Sequence, residues 1–239
     1  MQDNDKSPFE YRRWPSFAVS AESGACLTEI NEAREAAGLP KFATATDGES
    51  QKLPGGDNTG EKPWDPVCKA LIAEEDPKPA AKVSGAGNEF KTGTYAFMAL
   101  NSEKADCAAA VDHWKAAFSN FTSIPPAKTE KETIYDTQQN ISFVAMYNPS
   151  DGATADCQVV TCTKSTTPAP HGRTLRAAEG DKGYALLCMT TPDALASTTK
   201  PPFTEDQWSK IKTSLTGSAS IVAPSLLAFA AVALGLAAL

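Results

Sequence analysis

The chain has 239 residues, 21% of them charged, and a formal net charge of −7. That length suits one domain with a sizeable core. The acidic balance, with no basic cluster larger than Arg12 and Arg13, argues against nucleic acid as a partner.

In chain order, residues 1–17 are polar and lack the apolar run of a secretory leader. Residues 1–24 read as an N-terminal arm, and any leader is expected upstream of it or in its place. Leu27 to Ala37 predicts a helix with Leu27, Ile30, Ala33 and Ala37 on one face. Gly38-Leu39-Pro40 stops it, as a C-terminal glycine followed by proline does. Residues 44–62 are rich in Gly, Asp, Thr and Pro and predict a mobile surface loop. Pro66 starts a short helix carrying Cys68, Leu71 and Ile72, and 76–93 is a second irregular stretch.

Thr94 to Leu100 predicts a strand. From about Lys104 to Asn120, the residues Cys107, Ala110, Val111, Trp114, Ala117, Phe118 and Phe121 recur at helical spacing, so this helix packs on a core. Ile141 to Tyr147 and Tyr184 to Met189 are apolar on both faces and predict central strands covered on both sides. Cys157 and Cys162 are an odd number apart, so in one strand they face opposite ways and each can staple the sheet to a different layer. The expected fold is α/β: a three-layer α/β/α sandwich with a central, mainly antiparallel sheet. The stretch 165–183 is a long solvent-facing loop between two strands.

The final nineteen residues, 221–239, carry no charge, and Gly217-Ser218-Ala219-Ser220 precede them. A small-residue run followed by an apolar tail is the signal for attaching a GPI lipid, with Ser218, or else Gly217, as the attachment residue. The competing reading is a membrane-spanning helix. It is disfavoured because no Lys or Arg follows Lys212 to mark a cytoplasmic end, and because Pro224 leaves only 226–239 strongly apolar. A buried core helix is the third reading. The domain proper is thus expected to run over 25–216.

A lipid-anchored chain lies outside the cell, where six cysteines, Cys26, Cys68, Cys107, Cys157, Cys162 and Cys188, read as three disulfides. Cys162 with Cys188 is the favoured pair, since both lie in sheet-forming segments that can be antiparallel neighbours. Asn120-Phe-Thr122 and Asn140-Ile-Ser142 are candidate N-glycosylation sites.

No constellation carries catalysis. The only histidines, His113 and His171, read as solvated, with no nucleophile or metal partners indicated. Gly85-Ala86-Gly87 lacks the lysine of a phosphate loop, and Glu74-Glu75-Asp76 reads as a solvated helix end. Trp64, Trp114 and Trp208 read as core anchors.

Several motifs in order carry a family resemblance. They include Cys26-Leu27, Ile30-Asn31 with Arg34, Pro63-Trp64 with Cys68-Lys69, and Ala105-Asp106-Cys107 with Trp114-Lys115. Further along come Ile141 through Pro149, Ala155-Asp156-Cys157 with Val159 through Thr163, Cys188-Met189-Thr190-Thr191-Pro192, and Trp208-Ser209-Lys210-Ile211. Together they resemble the SAG surface antigens of Eimeria-type coccidian parasites, over residues 26–239. The resemblance implies a GPI-anchored antigen of an invasive stage, without a cofactor, attaching to the host-cell surface and met by host antibodies.

The same family is similar in fold to the CAP proteins, which carry two metal-type histidines. Here Ile30 and Ala155 hold those places, so the resemblance implies a kept scaffold and a lost metal site. A non-enzymatic adhesion module is therefore the first expectation. A CAP-like binder of a small lipid or sterol is the alternative, and a secreted hydrolase is the third reading.

Overall fold

The computed structural model describes residues 17–45, 51–56, 63–72, 92–129, 131–164 and 180–217. Five strands form one sheet: β1 (Phe17–Ser23), β2 (Ala43–Thr44), β3 (Thr94–Leu100), β4 (Thr154–Lys164) and β5 (Lys182–Thr191). The order is β1-β4-β5-β3 with antiparallel neighbours, and β2 adds a short parallel pairing at the start of β4. Residues 17–23, placed in the arm by sequence, thus belong to the sheet. β4 and β5 sit at its centre, which is why they are apolar on both faces.

Among the described residues five α-helices flank the sheet: α1 (Leu27–Ala36), α2 (Asp65–Leu71), α3 (Cys107–Ala116), α4 (Gln138–Met146) and α5 (Glu205–Gly217). α1, α3, α4 and α5 pack on one face around Ile30, Trp114, Phe143, Leu186 and Ile211. On the other face α2 and Leu53 cover Phe97, Val160, Ala185 and Leu187, with Trp64 among them. Among the described residues this second cover is one short helix plus segment 51–56. The complete third layer expected from sequence is not present there. Gly183 shows how close α2 comes, since a Cβ on it would lie 2.8 Å from Leu71 Cβ.

The stretch 141–147 is a correction: it lies in and just after helix α4, not in a strand. Residues 140–146 are buried on every side of that helix. A helix buried all round loses its 3.6-residue polar stripe, so periodicity cannot tell it from a two-sided strand. The predicted first helix is α1, and Gly38 follows it with φ 68°, the left-handed backbone glycine tolerates. α3 begins later than expected, at Cys107, because Asp106 caps it by accepting from the Ala109 amide at 3.0 Å.

α4 also closes an edge of the sheet. Among the described residues strand β3 has a strand partner on one side only, which leaves its outward backbone groups at an edge. Gln138 Nε2 donates to the Tyr95 carbonyl at 2.8 Å, and the Phe97 amide donates to Ser142 Oγ at 3.0 Å. Trp114 Nε1 donates to the Phe97 carbonyl at 3.0 Å. Side chains of α3 and α4 thus take the place of a missing strand.

All six cysteines are paired, as Cys26–Cys107, Cys68–Cys162 and Cys157–Cys188. The expected Cys162–Cys188 pair is therefore corrected. The β4–β5 register sets Cys157 directly opposite Cys188, with Cα atoms 4.0 Å apart, and places Gly183 opposite Cys162. Cys162 points to the other face, as the odd spacing requires, and meets Cys68 of α2. Only one of the two β4 cysteines joins the sheet to another layer; the other ties two strands within it.

Candidate functional site

Arg34 is the most constrained charged side chain. It is fully buried, and among the described residues its side chain is held by backbone carbonyls and not by a carboxylate. Its Nε donates to the Pro40 carbonyl at 2.9 Å, and Nη1 donates to the Met146 and Asn148 carbonyls at 3.0 and 2.9 Å. The guanidinium carbon sits 3.7 Å from the centre of the Phe42 ring. The cation thus satisfies carbonyls at the negative end of α4 and stacks on an aromatic face. Burial lowers its pKa to about 10, so it stays charged at neutral pH.

Asn148, also fully buried, continues this corner. Its Nδ2 donates to Thr190 Oγ1 at 3.1 Å and to the Pro192 carbonyl at 2.7 Å. Thr190 Oγ1 donates in turn to the Thr94 carbonyl, and Thr94 Oγ1 to Asp193 Oδ1. These groups lock α1, α4 and the ends of β3 and β5 into one frame. Burial, with the nearby Asp193 carboxylate second, raises the pKa of the Tyr95 phenol.

Besides a small cleft of about 40 Å³ against Thr94 and Asp193, two wider concavities open on the described surface. The smaller of these two, about 300 Å³, is lined by Leu27 and Asn31 of α1, Phe42, Ala43 and Thr44, and Ala155 and Asp156 of β4, among others. Asn31 Oδ1 is used structurally, accepting from the Phe42 amide at 2.9 Å. Asp156 Oδ2 accepts from the Leu53 amide at 2.7 Å. Of the two positions singled out by resemblance to CAP proteins, Ala155 lines this cleft, whereas Ile30 is turned into the core. Among the described residues no group of three or more His, Cys, Asp or Glu is placed to hold a metal ion.

The larger groove, about 610 Å³, lies where the helical layer stops short of β1. Ser20, Glu22, Val159 and Thr161 form its floor, Glu103, Lys104 and Ala105 its wall, and Cys107 one end. Both carboxylates and the ammonium are exposed. The sequence carried no signal for it, because its residues come from three separate segments and share no spacing.

The remaining candidates fall as follows. His113 is exposed on α3, while His171, Glu74 to Asp76 and Gly85 to Gly87 lie outside the described residues. Trp64, Trp114 and Trp208 are all buried, as expected. Asn120 is exposed at the end of a 3-10 turn over Ala117–Asn120, whereas Asn140 is buried in α4. Gly217 ends α5, and Ser218 lies outside the described residues. Of the stretches 44–62 and 165–183, read as surface loops, only 44–45, 51–56 and 180–183 are described. Among the described residues no helix is long and apolar enough to cross a membrane.

The sporozoite surface antigen (SAG) protein domain family matches residues 22–230. The chain is also 31% identical over 218 residues to the sporulated oocyst TA4 antigen of Eimeria tenella, covering 84% of this chain and 81% of that protein. No solved structure matches it. The match spans the sheet, all five helices and all six cysteines apart from the first residues of β1, and on it the chain belongs to the sporozoite surface antigen family.

Proposed function

We propose that this protein is a non-enzymatic surface antigen, held on the outer face of the plasma membrane by a GPI lipid and attaching to host cells through loops on its rigid domain. The observation that carries this reading is a domain crossed by three disulfides whose helix α5 ends at Gly217, the first residue of a small-residue run that leads into an uncharged stretch. Each bridge closes a long loop, with separations of 81, 94 and 31 residues. Such bridges suit a small domain working outside the cell. Loops 44–62 and 165–183 are the attachment segments proposed, because recognition concentrates on polar loops over a fixed scaffold. The charged wall of the larger groove weighs against the alternative, a carrier of an apolar lipid or sterol.

The test displays the full chain on transfected cells and measures adhesion to host epithelial cells and recognition by sera from infected animals. Replacing 165–179 with a Gly/Ser linker should reduce adhesion while the disulfide map stays unchanged. Full adhesion by that variant and by a matching 46–50 variant would remove the loops from the proposal. Hydrolysis of a substrate by the wild type, lost on chelation, would overturn the non-enzymatic reading.

A further inference from the structure

The two N-glycosylation motifs meet in space but differ in every respect that a glycan would feel. Asn120 is exposed, and so is Thr122, which completes its motif. Between them Phe121 is extended, with φ −102° and ψ 112°, so the chain leaves the 3-10 turn in an open conformation. Asn140 lies in the first turn of α4 and is only 3% exposed. Its Nδ2, the atom that a glycan would occupy, donates to the Ile134 carbonyl at 2.8 Å. Its Oδ1 accepts from Asn120 Nδ2 at 2.7 Å. Ser142, completing that motif, is wholly buried and closes the β3 edge.

We propose that Asn120 carries an N-linked glycan in the folded protein and that Asn140 does not. The inference rests on the reading that the chain enters the secretory route. The transferase acts on the chain before it folds, so both motifs are offered to it. A glycan on Asn140 would then have to be accommodated at a side chain only 3% exposed, packed between α4 and the Ile134 turn in a close-packed interior. Chains modified there fail to reach the native state. A glycan on Asn120 projects into solvent, and the amide keeps one N–H for Asn140 Oδ1.

The test expresses the full chain behind a heterologous leader in a secretory eukaryotic host. The fraction with all six cysteines paired is isolated and treated with peptide N-glycanase. Conversion of Asn to Asp is then read by peptide mass spectrometry. Conversion at Asn120 alone is expected. Thr122→Ala, which keeps Asn120 and its hydrogen bond, should migrate like the deglycosylated wild type with the same disulfide map, and Asn120→Gln should do likewise. Conversion at Asn140 in the paired fraction, or an unmodified Asn120 in the wild type, overturns the proposal. The borrowed leader separates the two readings: a chain glycosylated at Asn120 but not held by a lipid contradicts the anchor alone.

Discussion

Arg34 shows at the scale of one residue what holds this domain in register. Its buried guanidinium is received by three backbone carbonyls and an aromatic ring. Arg34→Met should cost about 3–5 kcal/mol, since it strands those carbonyls in the core. Arg34→Lys should recover only part of this, because an ammonium cannot reproduce the planar fork. Urea denaturation of both variants measures it, and a loss below about 1 kcal/mol for Arg34→Met would contradict the role. Ser142→Ala leaves the buried Phe97 amide without its acceptor. The expected cost is about 1–3 kcal/mol, with faster hydrogen exchange at that amide as its local signature. Neither role was legible in the sequence. Arg34 stands in a motif that marks it as notable, yet two of the three carbonyls it serves lie more than a hundred residues away.

Among the elements, α1 was readable because its apolar spacing and the Gly38 stop are local signals. For β4 the legible signal was the odd spacing of Cys157 and Cys162, which do lie on opposite faces of the sheet. α4 was not readable, since burial on all sides erased the polar stripe that marks a helix. The cysteine partners were not readable either: they follow from the β4–β5 register, which no local pattern announces. That register puts all but one of the bridges out of solvent. Cys68, Cys157, Cys162 and Cys188 are buried, whereas Cys107 is half-buried at the end of the larger groove. Thiol–disulfide exchange needs access to sulfur, so a mild reductant under native conditions should open Cys26–Cys107 first. Differential alkylation with peptide mapping checks this. Early labelling of Cys157 or Cys188, or any Cys162–Cys188 peptide, would contradict the pairing described.

Over the whole molecule, burial holds several phenols in their protonated form. The Tyr147 pKa is pushed up to about 12 by burial. Burial, with Glu132 second, raises that of Tyr135, whose hydroxyl donates to the Pro126 carbonyl at 2.6 Å. The unfolded chain releases these protons near pH 10, and the native state keeps them longer. Stability is therefore full below about pH 10 and falls as pH rises through the folded value near 12. Tyrosinate absorbance at Tyr95, Tyr135 and Tyr147 should appear together with unfolding, later than in a denatured reference. Independent titration of these residues in the native domain would show that they are not buried.

The lipid anchor proposed above rests on the small residues from Gly217 and the uncharged stretch that follows them. Treatment of intact cells carrying the full chain with phosphatidylinositol-specific phospholipase C tests that claim most directly. The protein should appear in the medium with its three disulfides intact, and replacing Gly217 and Ser218 with bulky residues should keep it from the surface. Retention of the wild-type protein on cells whose known GPI proteins are released would contradict lipid anchoring.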